Sequence, residues 1–300
     1  MDIPRDLYPY EAHFLDLDGL GLHYLDEGSG PPVLCVHGNP SWSFYYRNVV
    51  NELSRDHRVI VPDHIGCGLS DKPGDERYEY TLERRVADLE ALMDHLGISE
   101  GLTLIVHDWG GMIGMGLSHR RPGLVNRIVA LNTAAFPLPP SKSFPWPLWL
   151  VRDTPVGAFL VQRFNAFSRG AAKFCVTRHK MDPLVRQGML APYEPRNARI
   201  ATLRFVQDIP LGPGDRAWDL IKAVEAGLDR YADTPVLLCW GMKDFVFDRH
   251  FLERFEAHWP HAEVLRLEDA GHYVLEDAVE DVVPRIRAFL DAHPVAEAQA

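Results

Sequence analysis

The chain is poor in cysteine. Its four residues, Cys35, Cys67, Cys175 and Cys239, lie far apart and form no C-x-x-C pair. This excludes a disulfide-stapled scaffold and points to reduced thiols in a cytoplasmic protein. Cys35 and Cys239 sit inside apolar runs, where a thiol packs as a small hydrophobe. Long apolar stretches are missing too. The best candidate for a membrane span, 145–161, is broken by Arg152, Asp153 and internal prolines. The first residues lack the basic start and apolar stretch of a secretory signal. Positive charge is the minority sign, 31 Lys and Arg against 42 Asp and Glu, for a net charge of -11. On that balance nucleic acid and an anionic membrane surface are disfavoured partners. The chain has no G-x-x-x-x-G-K phosphate loop, no internal repeat and no low-complexity tract. His107, His119 and His272 have no ligand-like spacing with acidic neighbours, so no metal or other cofactor is expected.

What is present is an alternation of strand and helix signals in a chain that is 46% hydrophobic. PPVLCVHG (31–38), RVIVPDH (58–64), LTLIVHD (102–108), VNRIVALNT (125–133), TPVLLCW (234–240) and AEVLRLEDA (262–270) read as strands. Segments 41–57, 81–98, 109–121, 250–259 and a last stretch from about Asp277 have helical spacing. In 81–98, Thr81 opens the helix, and Val86, Leu89, Leu92 and Leu96 share one face. An early pair, EAHFLDLDG and LGLHYLDEG, reads as an antiparallel hairpin. Such alternation predicts an α/β fold, a mostly parallel sheet flanked by helices. The rhythm breaks between 136 and 213, a stretch rich in proline and aromatics at its start. We read it as an inserted helical cap over the carboxyl ends of the strands, with 1–135 and 214–300 forming the core.

Four strand ends carry chemistry: HGNP (37–40), HDWGG (107–111), WGMKD (240–244) and AGHYVLED (270–277). Asp108 suits a helix N-cap. It equally suits a nucleophile on a sharp strand-to-helix turn, whose small following residues, Gly110 and Gly111, permit close helix–strand packing. The chain order Asp108, Asp244, His272 is the nucleophile–acid–histidine order of the α/β-hydrolase plan. Asp248 is the nearest competitor for the acid, and Asp63 reads as structural. A carboxylate nucleophile suits displacement at a saturated carbon, giving an alkyl ester on the enzyme. His272 would then activate water, with Asp244 holding its tautomer. The backbone N–H groups of Asn39 and Trp109 would serve as oxyanion donors. The Asn39 amide and the Trp109 indole would cradle the departing anion.

HGNPSWSFYYR, PDHIGCGLSDKP, HDWGGMIGM, CWGMKDFVF and EDAGHYVLED resemble the haloalkane dehalogenase superfamily of α/β-hydrolases, across nearly the whole chain. The resemblance implies Asp108 as nucleophile, His272 as base and Asp244 as acid. It also implies Asn39 and Trp109 as the halide-stabilising pair, with a halide ion bound between them. The position of the acid and the asparagine donor are similar to the third dehalogenase subfamily. Ile209–Pro210 resembles a lid segment whose proline lines the pocket. Phe136 and other cap aromatics (Phe144, Trp146, Trp149, Phe159, Phe164, Phe167) are candidates for an alkyl-chain site or for cap core. Epoxide hydrolases share HDWGG but use two lid tyrosines, and this cap holds only Tyr193. PDHIGCGLSDKP, HDWGGMIGM, LNTAAF and APYEPRNARIATLRFVQDIPL are similar to decarboxylases that turn cis-β-lactones into long-chain alkenes. The resemblance thus implies a hydrophobic small-molecule substrate and an opportunity to assemble with other olefin-pathway enzymes. Three readings stay open: lactone decarboxylase, haloalkane dehalogenase, and a binding protein or receptor on the same fold.

Overall fold

Every residue of Leu102–Asp108 is buried, and so is every residue of Val236–Gly241. Strands covered on both faces belong inside a sheet with helices on each side. The computed structural model describes residues 2–295 and builds that arrangement. Its first half runs β1 (His13–Asp16), β2 (Gly21–Glu27), β3 (Pro32–Val36), α1 (Arg47–Leu53), β4 (Arg58–Pro62), α2 (Leu82–Leu96), β5 (Leu102–Asp108), α3 (Trp109–Arg120) and β6 (Val125–Thr133). Five helices then interrupt the sheet: α4 (Trp146–Asp153), α5 (Pro155–Phe164), α6 (Ala166–Phe174), α7 (Pro183–Leu190) and α8 (Ile200–Gln207). The chain returns through α9 (Trp218–Ala226), β7 (Val236–Gly241), α10 (Arg249–His258), β8 (Glu263–Leu267), α11 (Val274–Asp277) and α12 (Val279–Ala292).

The eight strands lie in the order β1-β2-β4-β3-β5-β6-β7-β8. The β1–β2 and β2–β4 pairs are antiparallel and the others parallel. The winding reverses between β3 and β5, and a crevice opens at the carboxyl ends of two strands whose crossovers leave in opposite directions. Residues 37–40 and Asp108 occupy that crevice. Among the described residues no helix is long and apolar enough to cross a membrane.

Local chemistry sets the helix limits. The Thr81 hydroxyl accepts the Arg84 N–H at 3.2 Å, and Gly97 closes α2 in the left-handed region at φ 67. One expectation is corrected. Ser41 does not start a helix: its hydroxyl accepts the Gly38 N–H, and a 3-10 turn over Ser43–Tyr46 precedes α1. The last helix is broken at Ala278 (φ -145, ψ 40), which separates the short α11 from α12.

Candidate active site

Asp108 ends β5 with φ 53 and ψ -126, a conformation that L residues rarely adopt. The β5–β6 register shifts between His107 and Asp108, which marks the same sharp corner. Packing enforces this elbow. A Cβ on Gly110 would fall on the Val36 carbonyl oxygen, and one on Gly38 would fall on the Asp108 carboxylate. The carboxylate does not cap its own helix. Instead Asp108 Oδ1 accepts the Asn39 N–H at 2.6 Å. Burial raises the Asp108 pKa to about 6, against the opposing pull of His272 and of the Trp109 and Asn39 N–H groups.

His272 stands between two carboxylates. Its Nδ1 lies 2.7 Å from Asp244 Oδ2 and its Nε2 lies 3.6 Å from Asp108 Oδ2. Burial opposes its charging, but the charge and hydrogen bond of Asp244, with Asp108 beyond, raise its pKa above the ordinary histidine value. Asp248 does not bond His272: it pairs with Lys142 and caps α10 through the His250 N–H. Asp63 is fully buried, bonded to the His23 ring and to the Ser43 and Leu69 N–H groups.

Two neighbours of the site were not legible in the sequence. Asn132, at the end of β6, places its side-chain nitrogen 3.0 Å from Asp244 Oδ2 and within reach of the Gly241 and Phe247 carbonyls. Its side-chain oxygen accepts the Gly241 N–H. It fixes the acid across 112 residues of chain, and an asparagine in NT at a strand end carries no signal of that. His107 donates from Nε2 to the His272 carbonyl at 2.9 Å, and burial holds its own pKa far down, so it stays neutral. Nothing in HDWGG marks the histidine before the aspartate as a support for the His272 backbone.

The Asn39 amide nitrogen donates to the Thr202 carbonyl on α8 at 3.0 Å, which ties the loop after β3 to the inserted helices. The Trp109 indole stands edge-on to Phe205 with centroids 5.4 Å apart. Behind them the buried Arg85 guanidinium lies 3.6 Å from the Phe205 centroid. The indole N–H has no protein acceptor among the described residues, and Trp109 faces a cavity.

That cavity has a volume of about 780 Å³ and lies between the strand ends and the inserted helices. Asn39, Asp108, Trp109 and His272 form its floor, and Phe136 and Pro210 are in its wall. Among the described residues its only ionisable groups besides Asp108 and His272 are the Cys175 thiol and the Tyr273 phenol, both held neutral by burial. Of the cap aromatics, Phe144, Trp146 and Phe167 also line it. Trp149, Phe159 and Phe164 do not: they are more than half exposed, neither wall of this cavity nor buried core. Tyr193 is fully buried, donates to the Ser41 carbonyl and does not reach the cavity. Among the described residues no group of His, Cys, Asp and Glu is arranged to hold a metal ion.

A doubly wound sheet with an aspartate at the β5 elbow, opposite a histidine–aspartate pair, defines an α/β-hydrolase. A family profile described as the alpha/beta hydrolase fold matches residues 31–279. The chain is 54% identical to the cis-3-alkyl-4-alkyloxetan-2-one decarboxylase of Shewanella oneidensis, over 95% of this chain and 89% of the relative. It is 32% identical to haloalkane dehalogenase 2 of Mycobacterium tuberculosis, over 93% of this chain and 95% of that one. The solved haloalkane dehalogenase DbeA from Bradyrhizobium elkani superposes with a TM-score of 0.84 at 26% identity, covering 94% of this chain and 99% of that one. The chain belongs to the alpha/beta hydrolase fold family and, within it, to the haloalkane dehalogenase superfamily.

Proposed function

We propose that this protein is a β-lactone decarboxylase that converts cis-dialkyl oxetan-2-ones to long-chain alkenes in the cytoplasm. One observation carries the reading: a buried carboxylate at the elbow opens into a large, almost wholly apolar cavity. About 780 Å³ is towards the upper end of the roughly 300–1,000 Å³ usual for small-molecule sites. Each buried methylene of an alkyl chain contributes about 0.8 kcal/mol. The 54% identity to a protein named for this reaction favours the lactone over a halide. The four free, buried cysteines fit a reducing compartment.

In this reading Oδ1 of Asp108 is held by the Asn39 N–H, and Oδ2 attacks the ring carbon that bears oxygen. The new C–O bond forms as the ring C–O bond breaks, and its electron pair leaves on a carboxylate. The Asn39 amide, the Trp109 indole and the His272 ring receive that charge. The bond between the neighbouring carbon and this carboxylate then breaks. Its electrons form the double bond, the alkyl–Asp108 bond opens, and carbon dioxide and alkene leave with Asp108 restored. No water enters, so His272, whose pKa Asp244 raises, acts as an electrostatic partner. The helices α4–α8, within the segment 136–213, act as the cap that keeps the cavity dry, and the other olefin-pathway enzymes are the partners this reading implies.

Hydrolytic dehalogenation is the second reading, favoured by the free indole N–H beside Asn39, a pair that would hold a halide. Bromohexane and a cis-dialkyl β-lactone, offered separately, discriminate. We expect rapid alkene and slow bromide; bromide at ordinary enzymatic rates with no alkene would sink the decarboxylase reading. In the same assay His272→Ala should halt bromoalkane turnover at an ester on Asp108, visible by intact mass, while lactone turnover persists at a reduced rate.

A further inference from the structure

The net charge of -11 conceals a division. Residues 136–213 hold eleven Lys and Arg against four Asp and Glu, a net +7, which leaves -18 on the rest of the chain. All four acids of the segment are engaged. Asp153 pairs with Arg152, Glu194 with Arg169 and Asp208 with Arg85, while Asp182 caps α7. Arg163, Lys173 and Arg196 have no carboxylate within reach among the described residues.

The same segment exposes large apolar side chains on three adjoining helices. These are Trp146 (73%) and Trp149 on α4, Val156, Phe159 and Phe164 on α5, and Phe174 (61%) on α6. Phe159 and Phe164 meet edge to face at 5.8 Å, Arg163 lies over Phe164 and Lys173 over Phe174. Trp146 and Phe174 also line the cavity, so the exposed patch runs into its mouth. Beside Phe159 a shallower cleft of about 570 Å³ is walled by Lys72, Arg163 and Arg196 and by no carboxylate.

Tryptophan and phenylalanine ringed by unpaired cations match the boundary between an anionic headgroup layer and acyl chains. We propose that the inserted helices dock on an anionic lipid surface. The α4–α6 aromatics then sit at the acyl boundary, the Lys72–Arg163–Arg196 cleft takes a headgroup phosphate, and the cavity mouth opens towards the lipid. The expectation drawn from total charge is thereby reversed at this face: the acidic body is repelled from an anionic leaflet and the basic cap attracted, which fixes the orientation. Uptake of an alkyl substrate from the lipid through that mouth rests on the function proposed above; the docking does not.

Flotation of the full chain with vesicles tests it. The protein should float with equimolar phosphatidylcholine–phosphatidylglycerol vesicles and not with phosphatidylcholine alone. Each cation near an anionic leaflet contributes about fivefold, so R163Q/K173Q should lower partitioning more than about tenfold. W149S/F159S should lower it similarly. Turnover of bromohexane or a short-chain lactone in solution should stay unchanged in both variants, which establishes that they fold. No flotation with anionic vesicles, or flotation indifferent to both double substitutions, overturns the proposal. So does a patch whose mutation instead abolishes self-association, or binding of an olefin-pathway enzyme, with vesicle binding intact. Flotation needs no turnover, so a lipid-binding protein that makes no alkene would keep this inference and lose only the reaction.

Discussion

At Asp108 two demands conflict. In the proposed reaction it must be ionised to attack, and a site that excludes water resists ionisation. The pKa of about 6 is the compromise: the carboxylate is mostly charged at neutral pH, and the fold bears the cost. Relative to an ordinary aspartate that cost is about 3 kcal/mol. Because the folded value lies above the unfolded one, stability from this group is fully present below about pH 4 and is lost as pH rises through about 6. Asp108→Asn should therefore be inactive yet more stable at pH 7, by about 5 °C in Tm, with the gap closing towards pH 4. Thermal melts at the two pH values check this, and a lower midpoint at pH 7 would contradict it. Asp108, His272 and Asp244 stood out in the sequence because each lies at or shortly past the end of an apolar strand with a glycine close by (Gly110, Gly271, Gly241). Asn132 did not, because its role exists only once β6 and β7 lie side by side.

The elbow between β5 and α3 works through what it leaves out. Gly110 lets the first turn of α3 rest against the end of β3, and that contact sets the distance from Asp108 to the Asn39 N–H. Gly110→Ala should push α3 back from β3. We expect a destabilisation of about 1–3 kcal/mol and at least a tenfold loss of kcat, read from melts and from product formation. A variant with parental activity would show that the close approach is not what places the nucleophile. The strands were legible because runs such as LTLIVHD are apolar on both faces, which only a covered sheet tolerates. The inserted helices were less so. An apolar helix in a cap has three surfaces to choose from, namely body, cavity and outside, and residue type does not rank them. Trp149, Phe159 and Phe164 took the outside, whereas Phe144 and Phe167 took the cavity.

For the molecule as a whole, the sum of charges conceals how they are distributed along the chain. The total of -11 is the sum of two unlike stretches, +7 over 136–213 and -18 elsewhere. The core charge lies mostly on exposed acids, and ions screen it over about 8 Å at physiological salt. A bead or a leaflet in contact with the cap therefore meets the local sign first. If the inserted helices face a leaflet as proposed, the protein presents a basic face there and an acidic one elsewhere. Its behaviour on ion-exchange resin at pH 7 should reflect that. With a sequence pI near 5.7 it ought to ignore a sulfonate column, yet at low ionic strength it should be retained there as well as on a quaternary-amine column, and R163Q/K173Q should elute earlier from the sulfonate alone.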